Sequence, residues 1–264
     1  MKQVVKFLLL TFLLIQGSVL IPNEPLDPTP YILPEKDSLR ILLDSLFKSP
    51  GIIANEKTLK TAGFKILRAQ KYSGIRLVQH PKLKGYLLKI YLESETRRRN
   101  GLTGEQWLIQ RCIGASAIRK IIAQNKMRYF TVPDKWLYRV LLQNGTSSTF
   151  VLVVTDMKLV QSKETKKAWK TKATKEVLDE LFIILSQGYG STGLRINIPY
   201  TKNGTFALID TEFQKRTFTL SRVNSHLSPK MREYWNSLIN SSNQDRLTVF
   251  DSTIEFRGIE PLYR

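Results

Sequence analysis

One cysteine, Cys112, stands in 264 residues, so the chain can form no intrachain disulfide and no cysteine-based metal site. Leu108 and Ala115 flank it at helical spacing, which marks it as a buried structural thiol rather than a nucleophile. Histidine is almost as scarce. His80 and His226 have no partners at the spacing of a metal site or a catalytic triad, so no chemistry is assigned to them. Acidic residues number 22 against 41 basic ones, a net charge of +19. Such a balance favours anionic partners: nucleic acid, phospholipid headgroups or phosphorylated ligands. A basic patch interleaved with aromatics is missing, so there is no specific nucleic-acid signature. Beyond residue 21 no apolar run is long enough to span a membrane.

An apolar content of 42% with 10% aromatics marks a globular chain, and the length suits one large domain or a two-lobed one. Residues 1–18 read as a secretory signal peptide, with Lys2 and Lys6 ahead of an apolar run and Gly17-Ser18 as small cleavage-site residues. The expected location is secreted, periplasmic or otherwise extracytoplasmic. The alternative is an uncleaved membrane anchor, because Val19 to Ile21 prolongs the run. Residues 19–36 carry Pro22, Pro25, Pro28, Pro30 and Pro34 and read as an extended linker. Leu39, Leu42, Leu43, Leu46 and Phe47 give residues 38–48 a helical stripe, capped by Asp37 or Ser38.

Five strand-like runs follow, at 64–69, 74–79, 85–92, 136–142 and 149–155, the last two joined by Asn144-Gly145. Between the third and fourth, residues 103–123 form one long amphipathic helix: Thr103 caps it, and Leu108, Cys112, Ala115, Ile118 and Ile122 make its stripe. Residues 162–175 then present Lys163, Lys166, Lys167, Lys170, Lys172 and Lys175 against Glu164 alone. Four of these lysines, Lys163, Lys166, Lys167 and Lys170, share one helical face, the best surface in the chain for an anionic partner. Helices are expected at 174–185 and 228–239, the latter with Pro229 in its first position, and an extended element at 246–256.

The chain is organised around residues 185–213. Gly188 and Gly190 stop the apolar helix, Ile196 to Tyr200 reads as a short strand, and 205–209 reads as another, with Lys202-Asn203-Gly204 turning between them. That hairpin brings Asn197 near Asp210, and an amide oxygen beside a carboxylate suits a hard cation such as magnesium.

At these residues the chain resembles the protein-kinase-like superfamily. Asn197 and Asp210 lie thirteen positions apart, the usual interval between that family's catalytic-loop asparagine and its metal-binding acid. Ile209-Asp210-Thr211-Glu212 is similar to the I-D-x-E of small-molecule and sugar kinases. Five strands with one helix after the third is also the order of the kinase-like amino-terminal lobe. The resemblance implies an α+β, two-lobed fold. Residues 37–155 would form the first lobe, a five-stranded antiparallel sheet with one helix and a leading helix. Residues 156–264 would form a reduced helical second lobe.

The same resemblance implies ATP and magnesium as ligands, with residue roles to match. Lys89 would reach the phosphates, paired with Glu105. Asp156 and Met157 would be the hinge at the adenine, and Asn197 and Asp210 the metal ligands. Thr192 stands where the family has its catalytic aspartate, and Arg195 lies in the same loop. The turn at 70–73 carries no glycine-rich phosphate loop. These departures lead to a degenerate, pseudokinase-like protein that is exported and acts through a partner. The alternatives are an active ATP-dependent phosphotransferase and a basic protein that binds an anionic surface.

Overall fold

The computed structural model describes residues 26–69, 74–94, 98–99, 102–212 and 219–254. The signal segment 1–18, the turn 70–73, and Glu95 and Arg97 lie outside the described residues.

β1 (Lys65–Ala69), β2 (Ile75–Gln79), β3 (Tyr86–Tyr91), β4 (Lys135–Leu141) and β5 (Ser148–Thr155) form one antiparallel sheet in the order β1-β2-β3-β5-β4. Each strand lies within a residue or two of its expected position. β5 is flanked on both sides and buried on both faces, which is why residues 150–154 are all apolar.

Two helices cover one face of the sheet. α1 (Ser38–Leu46) starts where Asp37 Oδ1 accepts from the Leu39 N–H at 2.8 Å, a cap that stabilises by about 1 kcal/mol. α2 (Glu56–Thr61), which the sequence reading missed, carries a capping box between Asn55 and Thr58. Their Leu39, Leu43 and Leu59 pack on Leu88, Ile90, Val151 and Val153. The proline-rich stretch also reaches the sheet: Leu33 is buried and its N–H donates to Leu137 O at 3.0 Å.

The long helix α3 (Gly104–Gln124), capped by Thr103 with Gln106 reciprocating, covers the other face. Leu108, Ile109 and Cys112 meet Leu137, Phe150, Leu152 and Val154 there. Successive strand side chains point to opposite faces, so Lys89, between Leu88 and Ile90, lies on the α3 side. At 21 residues α3 is about 31 Å long. Its far half, with Ile118 and Ile121, enters a second core made by α4 (Ser162–Thr171), α5 (Lys175–Ser186), α6 (Leu194–Asn197), a 3₁₀ turn (Leu220–His226) and α7 (Pro229–Ile254). The fold is therefore α+β, with the five-stranded antiparallel sheet, single long helix and smaller helical part that the kinase resemblance implies.

Three local expectations are corrected. Residues 196–200 are not a strand: Leu194 and Ile198 are both fully buried, and that four-residue spacing winds α6. The hairpin shrinks to one bridge, Tyr200 to Phe206, while Phe206–Ala207 pairs in parallel with Phe130–Thr131. Residues 246–254 are helical rather than extended, because no glycine or proline interrupts the chain between Pro229 and Gly258.

Candidate functional site

The segment 209–212 is the point where sheet, long helix and helical part converge. Ile209 donates its N–H to Asn197 O at 3.1 Å, so Asn197 and the acid-bearing segment are neighbours through their backbones. Three basic side chains then close on the segment. From β3, Lys89 Nζ donates to Ile209 O at 3.2 Å. From the first position of β4, Lys135 Nζ donates to the same carbonyl at 3.2 Å and to Thr211 Oγ1 at 2.6 Å. From α3, Arg111 Nη2 lies 3.0 Å from Asp210 Oδ1 and 3.2 Å from Glu212 Oε1, bridging the two carboxylates.

Gly114 makes this docking possible. A Cβ at that position would fall 1.6 Å from Thr211 O, so the backbones of α3 and the segment touch directly. Thr211 Oγ1 completes the seam by donating to Arg111 O at 2.6 Å.

Three cations and two carboxylates thus share one space, with Arg111, Lys135 and Glu212 buried and Lys89 and Asp210 half-buried. Burial lowers the Lys89 pKa to about 8; Arg111 adds to the fall, and Asp210 and Glu212 oppose it. The Lys135 ammonium is likewise pushed well down, by burial first and then by Lys89 and Arg111. Burial works against ionised Asp210, but Arg111, Lys89 and Lys135 together hold its carboxyl well below the usual range. Glu212 is raised, chiefly by burial. Arg111 Nε and Glu212 Oε2 are buried without a hydrogen-bond partner. Cys112, next to Arg111, is pushed up to about 12 by burial, which makes it inert.

Glu105 lies in the first turn of α3, where Arg139 acts on its carboxylate. It is not brought to Lys89, whose opposite charges are Asp210 and Glu212. Thr192 sits half-buried in the bend before α6. Arg195 is exposed, and its charge acts on His226, whose pKa is lowered mainly by burial. The Asp156 N–H is taken by Gly85 O at 2.8 Å, and its carboxylate holds Lys158 through both the backbone N–H and Nζ. With Met157 it lines a cleft of about 320 Å³ that also takes in Val132, Asp134, Thr201 and Asn203. Neither Lys89 nor Asp210 lines that cleft.

As arranged, the donor set does not fit a magnesium ion. Asp210 Oδ1 already faces the Arg111 guanidinium. Asn197 turns its amide nitrogen to Ser191 Oγ at 2.8 Å. Among the described residues no three His, Cys, Asp or Glu side chains are grouped to hold a metal. Magnesium demands close oxygen ligands in near-octahedral geometry, and the Arg111 guanidinium competes with it for Asp210 Oδ1.

The sequence reading missed Arg111, Lys135 and Gly114. Signals for two of them were present. A glycine in the middle of a helix costs about 1 kcal/mol against alanine and so asks for a packing reason, and Arg111 adjoins the apolar stripe of α3.

No family model matches the chain, and no curated protein matches it. Among solved structures it is similar to a MAP kinase from Leishmania major, LmaMPK10, at 10% identity and a TM-score of 0.29. The match covers 67% of this chain and 51% of that one, so the chain spans about half the length of the kinase. At that score the likeness carries no argument, and the kinase-like description rests on the order of strands and helices.

Proposed function

We propose that this chain is a degenerate kinase-like protein that works by binding, not by phosphoryl transfer. The observation that carries the reading is Arg111, whose guanidinium lies across Asp210 and Glu212. A catalytic metal acid must offer its oxygens to the metal that holds the phosphates, and here a side-chain cation lies against one oxygen of each carboxylate. Thr192 supports the same reading, since a hydroxyl cannot accept a proton as a carboxylate does, and loss of a general base costs about 10²–10⁴-fold in rate. The leading basic and apolar residues support export, which would place the binding function on the outer side of a membrane.

The test is thermal and urea denaturation of the full chain with ATP, with ATP and magnesium, and with ATP and a chelator. A nucleotide at 100 times its dissociation constant stabilises by about 2.7 kcal/mol. The expected result is no magnesium-dependent stabilisation. Stabilisation that requires magnesium and disappears in Asp210→Asn would overturn the metal-free reading, and transfer of the ATP γ-phosphate to an acceptor would overturn the binding reading in favour of an active phosphotransferase.

A further inference from the structure

We propose that the exposed face of α4 docks this protein on an anionic lipid surface. The proposal rests on the reading that the chain works by binding, and it names the partner. Lys163, Lys166, Lys167 and Lys170 are all exposed, and their spacing puts them on one side of the helix. Among the described residues none of the four makes an ion pair. The single acid of the helix, Glu164, is turned aside: its Oε2 accepts from the Gln161 N–H at 2.9 Å as part of the N-terminal cap.

The opposite side of α4 is fixed to the body of the protein. Trp169 is fully buried, donates Nε1–H to Ile198 O at 3.0 Å and stacks on Phe206 with ring centroids 3.9 Å apart. Thr165 Oγ1 accepts from the Tyr200 N–H at 3.3 Å, and Ala168 is buried in the helical core. The lysines therefore project from a rigid platform, and little backbone order has to be gained on docking.

Residue chemistry selects the partner. All four basic residues are lysines. A lysine ammonium is a compact, hydrated point charge suited to a plane of headgroups, whereas bidentate reading of individual phosphates favours arginine. No exposed aromatic lies among them to stack a base, which argues against single-stranded nucleic acid. No apolar side chain lies among them to insert, so the attraction is electrostatic and falls with salt.

The experiment is vesicle co-sedimentation of the full chain in chelator-containing buffer. Vesicles with about 30% phosphatidylglycerol are compared with pure phosphatidylcholine, since each lysine near an anionic surface adds about fivefold in binding. One variant carries Lys163→Gln, Lys166→Gln, Lys167→Gln and Lys170→Gln. A control carries Lys57→Gln, Lys65→Gln, Lys82→Gln and Lys84→Gln, exposed lysines on the sheet side that remove the same net charge. The N-terminal run is common to all, so its contribution cancels.

The expected result is a preference for anionic vesicles that falls about 600-fold in the α4 variant and changes little in the control. Equal losses in both variants would mean that net charge alone acts, and the proposal fails. It also fails if the wild type does not prefer anionic vesicles. It fails again if double-stranded DNA or polyglutamate binds more tightly at the same salt and loses that binding in the α4 variant. Any of these failures leaves the metal-free binding reading intact. Magnesium-dependent nucleotide stabilisation would remove that reading without changing the vesicle result.

Discussion

Gly114→Ala is the most direct probe of how the charged segment is held. An alanine in the middle of an exposed helix normally gains about 1 kcal/mol over glycine. Here the new methyl would lie 1.6 Å from Thr211 O, and ordinary contact begins at 3.4 Å, so α3 and the segment must part by about 1.8 Å. Backbone atoms cannot swing aside as a flexible side chain can. Such a shift stretches the bonds of Thr211 Oγ1 to Arg111 O and of Lys135 Nζ to Thr211 Oγ1, both 2.6 Å, beyond useful range. Each lost hydrogen bond costs about 0.5–1.5 kcal/mol, and overpacking adds about 1–3 kcal/mol. The sum outweighs the helix gain and leaves a net loss of about 1–5 kcal/mol, a large share of a typical domain's stability. Urea denaturation of wild type and variant, with the slope checked for constancy, measures it. A Gly114→Ala protein as stable as the wild type, or more so, would refute the backbone contact and with it the seam that places Asp210 beside Arg111.

Two further outcomes follow from the same cluster. Arg111→Met leaves Asp210 and Glu212 facing each other with only the two lysines to compensate. Stability should fall by about 3 kcal/mol or more, the usual cost of breaking a buried charge pair, and a loss under 1 kcal/mol in denaturant titration would contradict the bridge. Lys89 has a folded pKa lowered to about 8 from 10.5, so between those values the unfolded chain holds a proton that the folded chain has lost. Stability should therefore rise with pH from 8 towards 10, with Lys135 adding in the same direction, and Lys89→Met should flatten the rise. A flat wild-type profile in that window would mean that Lys89 is solvated.

Much of the fold was legible because periodicity is a local signal. Alternation placed five strands, and a stripe from Leu108 to Ile122 placed α3, with its cap at Thr103 read to the residue. Errors arose where a pattern was short. Ile196 to Tyr200 looked like a strand by composition, but Leu194 and Ile198 at helical spacing outweighed it once both were buried. The α4 lysines were legible for the opposite reason: a solvated face needs no tertiary partner to be recognised.

The charged cluster was legible only in part, and the reason is physical. Lys89 and Asp210 declared themselves, one as a lysine within an apolar strand and the other as an acid at a strand's end. Their partners did not. A kinase-like helix is expected to offer a carboxylate to the strand lysine, and Glu105 is the one acid of α3. The helix instead offers a cation, Arg111, about two turns further along, to acids that lie roughly a hundred residues away in sequence. Lys135 joins from the start of another strand. Opposite charges can be exchanged between two docked elements without altering hydrophobic periodicity, because the ion pair survives either assignment. What does change is the charge left for an outside ligand. A lysine on the strand with a glutamate on the helix leaves the acidic segment free for a metal, whereas Arg111 on the helix neutralises it from within. On the metal-free reading proposed above, the guanidinium across Asp210 and Glu212, rather than the arrangement of strands and helices, takes the place a metal would have.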